Sequence, residues 1–329
     1  MWLASQASRA HLRARMAFIG IDLGGTKLAA AAFTADGELL SRESTPLADR
    51  TGTAVGALIV ERTVALAEKH TLDAVGVCVP GLYRASRGSV WAPNIPGWDD
   101  YPLREELRSA FGARVALTID SDRAACILGE TWRGAAAGAR DAIFLAVGTG
   151  IGAGIITDGR ILRGRGDVAG AIGWLALDRP YVARFVIHGC FEDQASGPGL
   201  VRVACDLIER DAGYNGSLRH PRPEDLDAGA VFAAYDRGDP IAVKVIDNAI
   251  ELWGMASANL VSLFNPEIVV FGGGVFGPAA KLLDRVRAEA RRWAQPIGIE
   301  QARFVTSALG GDAALYGAGR LAMMGRGTA

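Results

Sequence analysis

Cysteine is sparse in this chain and lysine nearly absent. Cys78, Cys126, Cys190 and Cys205 are scattered with no Cys-x-x-Cys pair, which argues against a disulfide scaffold and a closed zinc site. Lysine occurs only at positions 27, 69, 244 and 281, so nearly all the positive charge is arginine, a pattern we assign to codon usage. No apolar run approaches the roughly 18 residues of a membrane-spanning helix. Residues 1–15 lack the apolar centre of a secretory signal; with Met16 directly before the first expected strand, they read as a mis-assigned start or a disordered tail. A net charge of −1 and a pI near 6.5 give no reason to expect nucleic acid as a partner, which would need a local basic stripe. The expectation is a cytoplasmic protein with neither membrane nor nucleic-acid partner. Its 329 residues are 50% hydrophobic and 22% charged, enough for a packed core. At about 150 residues per domain, two domains are expected.

Residues 17–22 are a short apolar run ending in an acid. Gly24-Gly25 follows, then apolar residues 28–33, a turn at Asp36-Gly37, and Leu39-Leu40. This predicts three strands joined by tight turns. The outline recurs at 142–147, Gly148-Thr149-Gly150, 151–156, Asp158-Gly159 and Ile161-Leu162. Two copies predict a duplicated domain, the alternative being two unrelated glycine-rich meanders. Residues 54–69, 103–111 and 122–132 read as helices, and 74–79 and 115–119 as strands. Residues 211–240 read as a charged surface excursion with a short helix. Residues 241–264 form a long helix, apolar on several faces, that stops at Asn265-Pro266 because proline cannot continue it. The strand 268–271 then runs into Gly272-Gly273-Gly274. Alternating strands and helices predict an α/β protein with two related lobes.

Asp22-Leu23-Gly24-Gly25-Thr26-Lys27 sits on a strand-to-strand hairpin, so it is neither a P-loop nor a dinucleotide fingerprint. Glycines let backbone N–H groups approach a phosphate, and Thr26 adds a hydroxyl donor. Asp22, at the strand end, is a candidate for a hydrated Mg²⁺. A Gly-Gly hairpin can equally be a plain turn, but the second hairpin at Gly148-Thr149-Gly150 favours paired phosphate cradles, one per lobe, facing each other across a cleft. Gly272, Gly273 and Gly274 offer flat backbone for an adenine and ribose, or a simple strand-end turn.

These segments, with Val79-Pro80-Gly81, Ala92-Pro93-Asn94-Ile95-Pro96-Gly97-Trp98, Asp122 to Glu130, Ala195-Ser196-Gly197-Pro198 and Asn265-Pro266 onward, form an ordered set that resembles the ROK family of sugar kinases, in the actin-like ATPase superfamily, over residues 18–322. The resemblance implies a two-lobed actin-like ATPase (ribonuclease H-like) fold with a duplicated βββαβα core and a nucleotide cleft between the lobes. It implies transfer of the γ-phosphoryl group of ATP, with Mg²⁺, to a sugar hydroxyl. By the same resemblance Asp122, shortly before Gly129-Glu130, is the catalytic base. Gly24, Gly25, Thr26, Lys27, the second hairpin and the glycine run are the nucleotide site, and Gly81, Asn94, Ser121, Ala171, Trp174 and Glu192 occupy acceptor-pocket positions. Asp120, Ser121 and Asp122 also read as a helix N-cap cluster, and a helix N-terminus favours an ionised Asp122 able to accept a proton.

The acceptor pocket departs from the family pattern. Ser121 stands where the family has Asn, and Ala171 and Trp174 replace the Glu and His of an Ala-Gly-Glu-x-Gly-His stretch. Of the family's zinc motif this chain keeps Cys190 and the following Glu192, with Ala183 and Phe185 at the other cysteine positions, so no zinc is expected; His188 reads as an ordinary polar residue. Hydrogen bonds to charged groups are worth roughly 1.5–3 kcal/mol and neutral ones about 1. Losing the Glu, His and Asn would remove on the order of 4–6 kcal/mol, comparable to the whole affinity of a millimolar ligand, about 4 kcal/mol. Glucose bound in the usual way is therefore not the expected substrate. Deoxy sugars, anhydro sugars, glycosides, cyclitols and N-acylated hexosamines all fit a smaller wall at Ala171 and an indole at Trp174, which either stacks on a ring or fills core where zinc once packed.

The leading expectation is an ATP- and Mg²⁺-dependent carbohydrate kinase. The alternatives are a polyphosphate-dependent sugar kinase and a non-catalytic sugar or nucleotide sensor. Retention of Asp22, Asp122 and the glycine elements speaks against the sensor. A repressor of the same family would carry a winged helix ahead of the first phosphate motif, and the 21 residues before Asp22 are too few for one. The expected architecture is a smaller lobe of 16–132 plus 312–329 and a larger lobe of 133–311, closing over the acceptor. The apolar helix 241–264 either supports a homodimer or is buried within its own lobe.

Overall fold

The computed structural model describes residues 16–219 and 225–327; the expectation for residues 1–15 lies outside them, as do 220–224 of the excursion. The described chain forms two compact units. One holds the residues up to Ala137, the segment Arg163–Val168 and the residues from Gly311 onward; the other holds Gly138–Leu162 and Ala169–Gly310.

The first unit contains β1 (Met16–Leu23), β2 (Lys27–Phe33), β3 (Leu39–Pro46), β4 (Thr71–Val79), β5 (Leu82–Arg84), β6 (Ser89–Trp91) and β7 (Ala116–Ser121). Its main sheet runs β3-β2-β1-β4-β7, with β5 and β6 as a separate ribbon. β1 is antiparallel to β2 and parallel to β4, and β4 is parallel to β7. The second unit contains β8 (Ala142–Val147), β9 (Ile151–Thr157), β10 (Arg160–Ile161), β11 (Ile268–Gly272) and β12 (Arg303–Thr306). Its order, β10-β9-β8-β11-β12, and its strand directions repeat the first sheet strand for strand. The two glycine-rich outlines are thus a structural duplication. The strands read as continuous apolar runs because both faces of each sheet are covered, as parallel sheets require.

In the second unit the helix Pro240–Phe264 carries its own boundary signals. Asp239 caps it by accepting the N–H groups of Ile241 and Ala242, Pro240 opens it, and Asn265 closes it in the left-handed region at φ 44°. Its apolar residues, Trp253 among them, are buried inside the second unit, with Leu263 left outside. Burial within its own unit therefore accounts for most of the apolar surface that could have argued for a dimer. The excursion expected over 211–240 is also more embedded than its charge suggests. Tyr214, Leu218, Val231 and Phe232 all join that core, with the helix Ala228–Asp236 between. Several elements were not anticipated: β5, β6, β12 and the helices Cys190–Ala195, Gly197–Glu209, Leu283–Trp293 and Pro296–Gln301.

In the first unit the sheet is covered on one face by the helices Thr53–Lys69 and Leu103–Phe111, through Leu58, Ile59, Leu103 and Leu107. On the other face lies Ala313–Arg326, beside Asp122–Arg133. These two helices meet backbone to backbone. A methyl group on Gly317 would lie 1.8 Å from the Ala125 carbonyl oxygen, and one on Gly129 would lie 2.2 Å from that of Ala313. No repacking of side chains relieves a clash with main chain. Gly317→Ala should therefore destabilise the protein by on the order of 3 kcal/mol, read as a lowered midpoint in denaturant unfolding; a variant unfolding with the parent would show that the helices part easily.

Candidate active site

Three parallel strands end side by side in the first unit. The register pairs Asp22 on β1 with Cys78 on β4, and Cys78 with Asp120 on β7; Ser121 and Asp122 follow at once. Sheet topology, not sequence proximity, therefore brings Asp22 and Asp122 together. The N-cap reading holds in part. Ser121 is the cap, its hydroxyl accepting the Ala124 N–H at 3.3 Å, so this acceptor-pocket candidate is already engaged by its own helix. Asp120 Oδ1 accepts the Ser121 N–H at 2.8 Å, and its other oxygen is paired with Arg163. Asp122, first residue of the helix, accepts the Arg123 N–H at 2.7 Å.

Asp122 was expected to be ionised and able to accept a proton, and above about pH 6 it is. Burial pushes its pKa up to about 6, with the Asp22 charge adding to the rise and the Arg123 guanidinium and N–H opposing it. Desolvation outweighs the local dipole because the dipole acts only within the first turn and here faces an enclosed carboxyl. Burial likewise raises Asp22, opposed by the Cys78 thiol and the Lys27 charge, and raises Asp120 against the pull of Arg163. The Cys78 thiol donates to Asp22 Oδ1 at 3.2 Å, while Asp22 Oδ2 has no partner among the described residues. An acceptor-rich carboxylate with one free oxygen beside a glycine hairpin fits a hydrated Mg²⁺.

The first hairpin places Gly25, Thr26 and Lys27 at an exposed tip, closed by the Gly24 N–H donating to the Lys27 carbonyl at 2.9 Å. Asn94 lies against it, its Cβ 3.6 Å from the position a Gly25 side chain would take. The loop carrying Asn94 is tied at its base by the Ala92 N–H to the Trp98 carbonyl, and Trp98 stacks on Tyr101 at 4.3 Å. Gly81 is a packing glycine: a methyl there would stand 2.1 Å from the Trp91 carbonyl.

In the second unit, Gly148, Thr149 and Gly274 line a cavity of about 860 Å³ together with Gly197, Pro198 and Val275. Gly150 lies outside its lining. Gly272 and Gly273 do not line it either; a side chain on Gly272 would strike the Phe144 ring, and one on Gly273 the Val147 carbonyl. Glu192 reaches the second hairpin, Oε2 accepting the Ile151 N–H at 2.7 Å, and its side chain also lies against Gly173. Ala171 caps the short turn Ile172–Trp174. Trp174 is 56% exposed, which excludes the core-filling alternative. Phe185 is buried, with the Tyr181 ring edge-on to it at 6.0 Å, and Cys190 Sγ is 3.8 Å from Gln194 Nε2. Among the described residues no three His, Cys, Asp or Glu side chains gather to hold a metal, and no helix is long and apolar enough to cross a membrane.

Sequence reading missed Cys78, Arg163 and Asp312, whose charge also acts on Asp22. Cys78 stands one residue before Val79-Pro80-Gly81, but only the β1–β4 register reveals its partner.

The chain matches the ROK family model over residues 18–324. A glucokinase of Halalkalibacterium halodurans is 31% identical over 316 residues, covering 92% of this chain and 94% of that protein. The crystal structure of a ROK hexokinase from Thermus thermophilus superposes with a TM-score of 0.78 at 32% identity, covering 94% of this chain and 98% of that one. A ROK family glucokinase from Streptomyces griseus, in complex with glucose and AMPPNP, gives 0.73 at 32% identity, covering 94% and 99%. With the family model spanning nearly the whole chain and these relatives matched almost end to end, the chain belongs to the ROK family.

Proposed function

We propose that this protein transfers the γ-phosphoryl group of ATP to a hydroxyl of a sugar or sugar-like acceptor, with Asp122 as general base. The observation that carries this reading is the pair of enclosed carboxylates, Asp22 at the carboxyl end of β1 and Asp122 just after β7, on either side of β4, with the Asp22 charge adding to the rise in Asp122's proton affinity. ATP would supply the transferred group, and Mg²⁺ held through water at Asp22 would neutralise charge on it. Asp122 accepts the proton of the acceptor hydroxyl and aims its oxygen. Since phosphoryl transfer passes through a loose transition state, alignment and charge neutralisation matter more than strong basicity. The hairpin at Gly24–Lys27 and that at Gly148–Thr149 offer backbone N–H groups and hydroxyls to phosphate oxygens.

The relatives are named for glucose and hexoses. We assign this chain a different acceptor. Ala171 removes a charged partner for a hydroxyl, and the exposed Trp174 indole offers a face to a ring or apolar substituent. Glu192, with Oε1 outside its bond to the hairpin, and Asn94, beside the first hairpin, remain as polar contacts.

Four outcomes test the reading. In an ADP-release assay across hexoses, amino sugars, anhydro sugars, glycosides and cyclitols, a ligand other than glucose should give the highest kcat/KM; efficient glucose turnover would sink the acceptor assignment. Asp122→Asn should lower kcat on that substrate at least about 100-fold. It should melt no lower than the parent at pH 8, because it removes a buried charge whose raised pKa disfavours the folded state above pH 6. The parent's kcat should also decline as pH falls through about 6, where Asp122 gains its proton. An acid limb near pH 4, or one that persists in the Asn variant, would take the base role away from Asp122.

A further inference from the structure

The cavity of the second unit is walled by glycine backbone and by the apolar side chains Pro198, Val201, Leu226, Val275 and Pro278, with Arg202 and Asp227 as its charged members. Asp227 has structural work: Oδ1 caps the helix Ala228–Asp236 by accepting the Ala230 N–H at 2.7 Å. Arg202 is held by a different device. Asp193 is fully buried, and its Oδ1 lies 3.1 Å from Arg202 Nε, which also donates to the Asp193 carbonyl at 3.2 Å. Arg184 Nε takes the other carboxylate oxygen at 2.6 Å. An ionised carboxylate withdrawn from water is costly unless paired. Here that buried ion fixes the Nε edge of one guanidinium at the cavity wall. The two terminal nitrogens of Arg202 have no protein partner among the described residues, and Arg202 lines the cavity; a guanidinium held through its Nε edge can still stack on a planar ring.

Position narrows what this group meets. Gly197, at the start of the helix Gly197–Glu209, donates its N–H to the Gly148 carbonyl at 2.8 Å, so the helix begins at the phosphate hairpin. Arg202 stands five residues further along, roughly 7–8 Å down the axis, next to Val201 on a wall of apolar side chains. A phosphate at that depth would lose its hydration among hydrocarbon, whereas a purine ring would bury its surface there and lie flat on the guanidinium. We propose that Arg202 is the platform on which the purine of the phosphoryl donor stacks, so that the enzyme selects a nucleoside triphosphate over inorganic polyphosphate. The inference rests on the phosphotransferase reading above and adds the residue that chooses the donor.

Calorimetric titration of ADP and of tripolyphosphate into the full-length parent, Arg202→Lys, Arg202→Met and Arg184→Met tests it. ADP should bind about tenfold more weakly to both Arg202 variants, since lysine keeps the charge but not the plane. Tripolyphosphate affinity should be unchanged in them, and Arg184→Met should bind ADP as the parent does. Full ADP affinity in Arg202→Lys, or an equal loss of tripolyphosphate affinity, would reassign Arg202 to phosphate and overturn the proposal. A comparable ADP loss in Arg184→Met would make the effect one of Asp193 pairing alone and overturn it as well. If Arg202→Met does not fold, Arg202→Lys decides, because its ammonium can still pair with Asp193. A parent that binds no ADP would bring down the donor reading itself, a result distinct from a binding parent with an unaffected lysine variant.

Discussion

The first unit depends on a backbone-to-backbone contact. The helix that begins at Asp122 and the helix Ala313–Arg326 approach until Gly317 meets the Ala125 carbonyl and Gly129 meets that of Ala313. The same C-terminal helix lies on the sheet through glycine, where side chains on Gly20 and Gly76 would collide with its main chain. Interiors are close-packed, and a position fixed by main chain cannot be shifted by choosing another rotamer. The strands ending at Asp22 and Cys78 and the helix opened by Asp122 are thereby set against one rigid element. Placement of the two carboxylates follows from residues that carry no chemistry of their own.

Enclosure has a second consequence. Withdrawing Asp22 and Asp122 from water raises both carboxyls, and the protein answers with partial compensation: a thiol and a lysine for Asp22, a guanidinium and an N–H for Asp122. Compensation is incomplete for Asp122, so the group sits near the range in which a base can both hold and release a proton. Full compensation would have left a spectator ion.

In the second unit a six-residue helix does comparable work. Consecutive acids on Cys190–Ala195 serve different ends, Glu192 bonding the Ile151 N–H of the glycine hairpin and Asp193 clamping Arg202 at the cavity wall. Trp253 anchors the end of that helix, its Nε1 donating to the Ala195 carbonyl at 3.1 Å. The hairpin and the cavity wall thus share one support. In this ROK family member the geometry of the second glycine hairpin is thereby coupled to that of the cavity wall.

The sequence alone determined the duplicated α/β plan, because short continuous apolar runs and Gly turns recur in the same order and local rules govern both. It also determined the boundaries of the long helix, where Asp239, Pro240, Asn265 and Pro266 are local signals, and the identity of Asp22, Asp122 and the glycine hairpins as candidates. It misjudged the excursion at 211–240 and gave no sign of the rise in Asp122's proton affinity, since burial is a property of what packs around a residue and not of the residue. Short elements such as β12 and Cys190–Ala195 carry too few residues to show a period. Only the tertiary structure decided that Cys78 faces Asp22, that Gly272 and Gly273 serve packing while Gly274 lines the cavity, that Trp174 stands in solvent, and that Asp193 orients Arg202. Each depends on strand register or on contacts between residues distant along the chain, and distance along the chain holds no record of either.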